Sequence, residues 1–248
     1  MNQGTSSEVK TTRISMWSGP RNISTAMMRS FGSRPECQAV DEPFYAYYLA
    51  KTGLRHPMFK EVIASQPTDW RTVAANLNVA NASGSELYIK HMTHHMTEEV
   101  DLSSFRDHRN CFLIRDPKRV IASYAAKWNR ITTDDIGIKR QLEIFRTLEE
   151  LTGQTPVVVE AEDILRQPEA MLKKLCHALD IPWREEMLSW KKGRQPEDGV
   201  WAAHWYASVE ETTGFAPYKD REISLKPELT ELMAEQVPYF DALRAHKI

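Results

Sequence analysis

The chain has 248 residues, of which 42% are hydrophobic and 27% charged, and a formal net charge of −2 at pH 7. That length suits one α/β domain with a sizeable core. The near balance of charge excludes the broad basic surface that long nucleic acid or an anionic membrane would require. No apolar run approaches the roughly 20 residues needed to cross a bilayer.

Residues 1–12 are polar and mixed in charge, without the apolar stretch of a signal peptide or the Arg-rich pattern of a transit sequence, and are expected to form a disordered tail. A single domain is expected over 13–248. Arg13 to Trp17 reads as a first strand, and Thr25 to Phe31 as a helix stopped by Gly32. Cys37 to Val40 is a short apolar strand that carries Asp41, Glu42, Pro43 and Phe44 at its carboxyl end. From Tyr45 to Ser85 the pattern is helical, with Trp70, Val73, Ala74 and Leu77 on one face. Glu86 to Met92, Cys111 to Ile114 and Val157 to Val159 complete a set of five strands. Helices are marked by Ile138, Leu142 and Phe145, by Met171, Leu172 and Leu175, and by Leu229, Leu232 and Met233, the last broken at Pro238. Short apolar strands alternating with helices predict a three-layer α/β sandwich with a mostly parallel central sheet. The stretch from Gln195 to Pro217 lacks periodicity and reads as a lid or ordered loop. Cys37, Cys111 and Cys176 are widely spaced and form no CxxC pair, which predicts buried, reduced thiols in a cytoplasmic protein.

Two of the strand-to-helix junctions carry anion-binding groups. After the first strand, Ser18, Gly19 and Pro20 turn the chain, Arg21 offers a guanidinium, and Asn22, Ser24 and Thr25 precede or open a helix. Free amide groups and the positive end of the helix dipole converge there, as a phosphate or sulfate requires. After the fourth strand comes a second cationic corner. Arg115 ends the strand, Asp116 is placed to cap, Pro117 suits the first helical position and Ser123 follows two turns on. In a parallel sheet both junctions lie at the carboxyl edge, where ligands bind.

Together these segments resemble the two signatures of the sulfotransferases that use 3′-phosphoadenosine 5′-phosphosulfate (PAPS). The family's Pro-Lys-Ser-Gly-Thr-Thr loop, which binds the 5′-phosphosulfate, is matched by Pro20, Arg21, Asn22, Ile23, Ser24 and Thr25. Its Arg and Ser that bind the 3′-phosphate are matched by Arg115 and Ser123. Arg21 replaces a lysine and Ile23 a glycine, and a positive φ at position 23 would strain a β-branched residue, so the loop is expected to take a somewhat different path. The run Lys191-Lys192-Gly193-Arg194 is similar to the family's basic loop that closes over the nucleotide. Lys192, Gly193 and Arg194 are therefore expected to bind the nucleotide, with a solvated basic turn standing close behind as the alternative. The resemblance implies a P-loop NTPase-like sulfotransferase fold, PAPS as donor with the bisphosphate PAP as product, and a small-molecule acceptor. The near balance of charge and the lack of a bilayer-length apolar run predict no nucleic-acid or membrane partner. The family includes self-associating members, but no segment here specifies a homo-oligomer interface.

For the base that takes the acceptor proton, the resemblance offers two places. Tyr88-Ile89-Lys90-His91-Met92 is similar to a Lys-Thr-His region at a strand end, but aligning Lys90 puts Met92 where the histidine stands. His91, His94 and His95 are then displaced alternatives. Other branches use a glutamate after the second strand, matched by Glu42, and Glu42 is the favoured catalytic group, with Arg21 and His91 beside it. A carboxylate among Phe44, Tyr45, Tyr47 and Tyr48 would have a raised pKa suited to that task. No His-Glu-x-x-His frame or second ligand cluster supports a metal. Two rivals stand beside sulfuryl transfer: a non-catalytic nucleotide-binding protein of the same fold, and a nucleotide-dependent kinase. The kinase reading lacks the Gly-x-x-x-x-Gly-Lys-Ser/Thr loop.

Overall fold

The computed structural model describes residues 11–79, 85–126, 131–220 and 222–248. Five strands, β1 (Thr12–Ser18), β2 (Cys37–Asp41), β3 (Glu86–Met92), β4 (Arg109–Ile114) and β5 (Val157–Glu160), form one parallel sheet in the order β2-β3-β1-β4-β5. Helix α1 (Ser24–Gly32) follows β1. The helical stretch after β2 resolves into α2 (Tyr45–Thr52), α3 (Phe59–Ser65) and α4 (Trp70–Val79), with Gly53 at φ 70 ending the first of them. Helices α5 (Pro117–Ala125), α6 (Thr133–Ile136) and α7 (Ile138–Thr152) lie between β4 and β5. After β5 come α8 (Ala161–Arg166), α9 (Pro168–Ala178), α10 (Ala202–Trp205), α11 (Ala207–Glu210) and α12 (Pro227–Arg244).

The sheet is apolar on both faces, because helices cover both. Ile14, Met16, Tyr88, Leu113 and Val159 pack with α1 and α9, whereas Trp17, Ile89, Phe112 and Val158 pack with α7 and α12. Strand alternation does the sorting: Lys90 and Tyr88 share one face of β3, and His91 and Ile89 the other. Since β1 is flanked by β3 and β4, chain connections leave it in opposite directions, and a crevice opens at the carboxyl edge.

Strand limits differ from expectation by one or two residues. Thr12 already pairs with Glu86, so ordered structure reaches into the expected tail, whose residues 1–10 lie outside the described residues. Pro238 does not break the last helix. It sits inside α12 at an exposed position, one turn beyond Ala234, which is exposed too, so the carbonyl that loses its N–H partner is on the solvent side of the helix. Cys111 and Cys176 are buried and Cys37 half-buried; none forms a disulfide, and burial pushes their thiols up, Cys37 to about 12 and Cys176 to about 11. No helix among the described residues is long and apolar enough to cross a membrane.

The amino-terminal edge of the sheet is closed by a buried ion pair. Arg34, 1% exposed, holds Glu86 through Nε to Oε2 and Nη2 to Oε1, both at 2.8 Å, and also donates to the Pro182 carbonyl at 2.7 Å. Arg34→Ala would leave the Glu86 carboxylate buried and unpaired, so it is expected to destabilise the fold by about 3–5 kcal/mol. Urea unfolding followed by circular dichroism measures this, and a loss below about 1 kcal/mol would contradict it.

Candidate active site

A cavity of about 380 Å³ opens at the carboxyl edge, and every strand of the sheet contributes to it through the segment that follows. Arg21, Asn22, Ser24 and Thr25 come after β1, Glu42 follows β2, Lys90 and Met92 end β3, Arg115 and Ser123 follow β4, and Leu165 follows β5. The carboxyl-terminal segment closes one side with Trp190, Trp205, Tyr206 and Phe215.

The loop after β1 is shaped by contacts across the sheet. Gly19 has no room for a side chain, since a Cβ there would come within 2.7 Å of the Ile136 carbonyl oxygen. Asn22 Nδ2 donates to the Leu113 carbonyl at 2.7 Å, which ties the loop to the end of β4. The left-handed residue is Arg21, at φ 56. Ile23 sits at φ −73, so the expected conflict at that position does not arise; the unusual backbone falls two residues earlier. Ile23 is the N-cap of α1 and supplies no side-chain cap, so no side chain competes with a ligand for the first-turn amides.

Both cationic corners form one group. Arg21 Nε donates to Ser123 Oγ at 3.0 Å, and Arg115 Nη1 donates to the Arg21 carbonyl at 2.6 Å. Burial, and then the neighbouring Arg115 cation, hold the Arg21 guanidinium below its ordinary value. Glu162 offsets part of this charge through Arg115 at 3.4 Å and Arg119 at 3.8 Å. Guanidiniums held this close beside uncapped helix amides fit a multiply charged anion.

Beside the first turn of α1 stands a charge cluster drawn from segments too far apart in the chain for any motif to unite them. Lys90, 1% exposed, donates to Thr25 Oγ1 at 3.1 Å, Asp41 Oδ1 at 3.0 Å and Glu42 Oε1 at 2.8 Å, and its Nζ also contacts the Tyr206 hydroxyl. Burial pushes Glu42 up, with Lys90 opposing and Asp41 adding to it, and the result is a raised pKa. Lys90 is itself raised, its two carboxylates outweighing its burial. Glu42 has left-handed backbone, φ 39, which marks a position held by its surroundings.

Four of the residues expected here do not reach this cavity. His91 points to the other face of the sheet, where its ring stacks on Trp17 at 4.0 Å and its Nε2 meets Ser15 Oγ at 3.2 Å; the alternation of β3 that turns Lys90 inward turns His91 away. Lys192 is exposed and pairs with Glu211 at 2.7 Å, and Arg194 donates to the Gly199 carbonyl at 3.2 Å. Gly193, between them at φ 91, forms a turn whose amide donates to the Glu210 carbonyl. The basic run therefore lies outside the cavity lining, and Trp190, Trp205 and Phe215 are among the residues of this region that line it. His94 and His95 do line it. Burial holds His94 at about 3 and His95 well below its ordinary value, so both rings are neutral, and His95 stacks between Tyr45 and Tyr48. Among the described residues no three His, Cys, Asp or Glu side chains are grouped to hold a metal.

A parallel α/β sheet covered by helices on both faces, with a cationic cleft at its carboxyl edge, defines the architecture. The chain belongs to the sulfotransferase domain family, which it matches over residues 12–247. It is 33% and 29% identical over 233 residues to the branched-chain-amino-acid aminotransferase-like proteins 1 and 2 of Arabidopsis thaliana. Those matches take in 94% of this chain but 42% and 41% of the relatives, so the chain spans about two fifths of their length. Among solved structures it is similar to a sulfotransferase from Alicyclobacillus acidocaldarius, with a TM-score of 0.58 at 10% identity over 96% of this chain and 97% of the other. It is also similar to the sulfotransferase domain of the Synechococcus PCC 7002 olefin synthase, with a TM-score of 0.53 at 14% identity over 92% and 95% of the two chains. These two likenesses show the fold.

The loop and the imidazoles each yield a measurable outcome. Ile23→Gly is expected to destabilise by about 1 kcal/mol, because it removes a half-buried side chain packed on the core without relieving strain, whereas Arg21→Gly should cost little in folding, both read by urea unfolding. A histidine whose folded pKa is depressed binds fewer protons native than unfolded, so stability falls as pH drops below about 6.5. The melting temperature should decline between about pH 7 and pH 5, and His94→Gln should flatten that slope by the equivalent of about one proton; an unchanged slope would refute the assignment.

Proposed function

We propose that this chain transfers a sulfuryl group from PAPS to a hydroxyl or amine of a small-molecule acceptor. The observation that carries the reading is the convergence on one cavity of the uncapped α1 amides, the Arg21, Arg115 and Ser123 group, and the Lys90 and Glu42 pair. PAPS, when bound, supplies the sulfuryl group and leaves as the 3′,5′-bisphosphate.

The chain's own residues divide the work by position. Arg115 and Ser123 would hold the 3′-phosphate, and Ser24, Thr25 and the loop amides the 5′ end, with Asn22 and Pro20 fixing the loop. Arg21, linked to Ser123, lies on the boundary between the two. Lys90, in contact with both Thr25 and Glu42, would offer a positive charge to the negative charge that sulfuryl transfer develops. Glu42 would take the acceptor proton, and its raised pKa suits it to that role. The acceptor side is formed by Tyr45, His56, Trp205 and Phe215 with the neutral rings of His94 and His95, surroundings suited to an uncharged, ring-bearing molecule.

The aminotransferase named in the relatives finds no support in the cleft. Lys90 is the one lysine among the described lining residues, and two carboxylates hold it protonated, whereas an imine-forming lysine must be neutral. The non-catalytic reading has lost one of its supports, since Ile23 is unstrained.

Calorimetric titration tests the donor half. The 3′,5′-bisphosphate should bind and AMP and ATP should bind far more weakly, and Arg115→Ala should lose about 10- to 100-fold in affinity for the bisphosphate alone. With an acceptor from a screen of phenols, alcohols and amines, Glu42→Gln should lower kcat by about 100- to 10,000-fold. A preference for ATP with magnesium would sink the proposal.

A further inference from the structure

Asp41 and Glu42 are adjacent carboxylates facing the same buried ammonium, yet their surroundings differ. Asp41, 4% exposed, accepts from Lys90 at 3.0 Å, from the Tyr206 hydroxyl at 2.8 Å to each oxygen, and from the Gly199 amide at 3.1 Å. Glu42 accepts from Lys90 at 2.8 Å, lies 3.4 Å from the Tyr206 hydroxyl, and lines the cavity. A hydroxyl has one hydrogen to give, and the shorter distances direct that of Tyr206 to Asp41. The Tyr206 oxygen in turn accepts from Trp201 Nε1 at 3.2 Å and faces Lys90. An ammonium has three hydrogens and Lys90 faces four oxygens, so one contact must be weak at any moment. Of the two carboxylates, Glu42 has the fewer other anchors.

We propose that Asp41 is the standing counter-ion of Lys90, locked in place by Tyr206 and the Gly199 amide, and that this lock leaves Glu42 free to exchange a proton while Lys90 stays charged. The inference rests on the reading of Glu42 as the base and adds Asp41 and Tyr206 to it as positioning residues. Charge balance gives the reason. With Lys90 protonated and both carboxylates ionised the cluster carries a single net negative charge; the proton leaves the acceptor oxygen or nitrogen, bonds to a Glu42 oxygen, and brings the cluster to neutrality. Without the Asp41 charge the same step would run from neutral to a net positive charge in a buried place, which disfavours it. The groups that face Glu42 are Asp41 from β2, Lys90 from β3, Tyr206 from the joint of α10 and α11, and Tyr45 from α2. Thr25 and the neutral His95 ring are the other neighbours of Lys90 that enter its surroundings.

The test is carbon-13 NMR of protein labelled at the glutamate carboxyl carbon, with the Glu42 resonance assigned by its loss in Glu42→Gln. In the unmodified chain Glu42 should titrate above the ordinary carboxylate range. Asp41→Asn should move that titration down by about one pH unit or more, roughly a ten-fold loss of proton affinity. Tyr206→Phe removes no charge but takes from Asp41 its hydroxyl donor, which draws Lys90 toward Asp41 and away from Glu42, and should move it up. Binding of the 3′,5′-bisphosphate within about two-fold of the unmodified chain reports an intact fold in each variant, and should Asp41→Asn fail to fold, the upward shift in Tyr206→Phe carries the test alone. A Glu42 titration unmoved in the folded variants, or moved in one direction by both, would overturn the proposal. Full turnover by Glu42→Gln would instead remove Glu42 as base and leave the counter-ion result standing, so the two failures are distinct.

Discussion

A lysine ammonium buried to 1% exposure must be neutralised, and the arrangement of the carboxyl edge follows from how that is done. Lys90 takes Thr25 from the first turn of α1, Asp41 and Glu42 from the end of β2 and the residue beyond it, and Tyr206 from the carboxyl-terminal segment. One charge thus ties together segments as far as 116 positions from it in the chain, at the point where the cavity lies. With three hydrogens shared among four oxygens, the loss of one neutral partner still leaves Lys90 matched, whereas the loss of both carboxylates would leave its charge buried and uncompensated. The two carboxylates therefore fix the geometry of the cluster.

The same region is braced a second time. Arg29, also 1% exposed, holds Asp198 at 2.6 Å, and the Asp198 carboxylate accepts the Gln195 amide at 2.8 Å. Gly199, next in the chain, gives its amide to Asp41. The loop from Gln195 to Trp201 is thus anchored to α1 on one side and to β2 on the other, and Tyr206 is delivered from a fixed base. This explains why Gln195 to Pro217, without regular periodicity, takes a definite path. Its order comes from ion pairs and amide contacts with the core, while the aromatic residues Trp190, Trp205 and Phe215 in and beside it shape the cavity wall.

Much of the fold was legible because it is written locally. Apolar strands of four to seven residues, each followed by a turn and a helical period, yield a parallel sheet by ordinary packing rules. The two cationic corners were legible for the same reason, since Arg21 and Arg115 sit next to the strands that place them. The parity of β3 was equally available: residues 90 and 91 must face opposite sides, so Lys90 and His91 were never both candidates for one cavity. What local pattern does not carry is contact across sequence distance. Tyr206 lies 165 positions from Asp41. The left-handed backbone falls at Arg21, in a loop whose Gly19 is pressed against the Ile136 carbonyl, a constraint from another element altogether. Lys192 and Arg194 look like a clamp as a string of charges, yet Glu211 and the Gly199 carbonyl hold them elsewhere.

Two ends of the cavity use burial in opposite ways. At the cationic end Arg21 is held below its ordinary value by its burial and by the neighbouring Arg115 charge. A multiply charged anion would offset that crowding. At the acceptor end, burial strips charge from the imidazoles, and His94 and His95 are left as neutral groups among aromatic rings. Lys90 stands on the boundary and is kept charged by being paired. The cleft is thus cationic at one end and neutral at the other, with a single compensated ammonium between them, and on the proposed reading these two ends would take the donor and the acceptor.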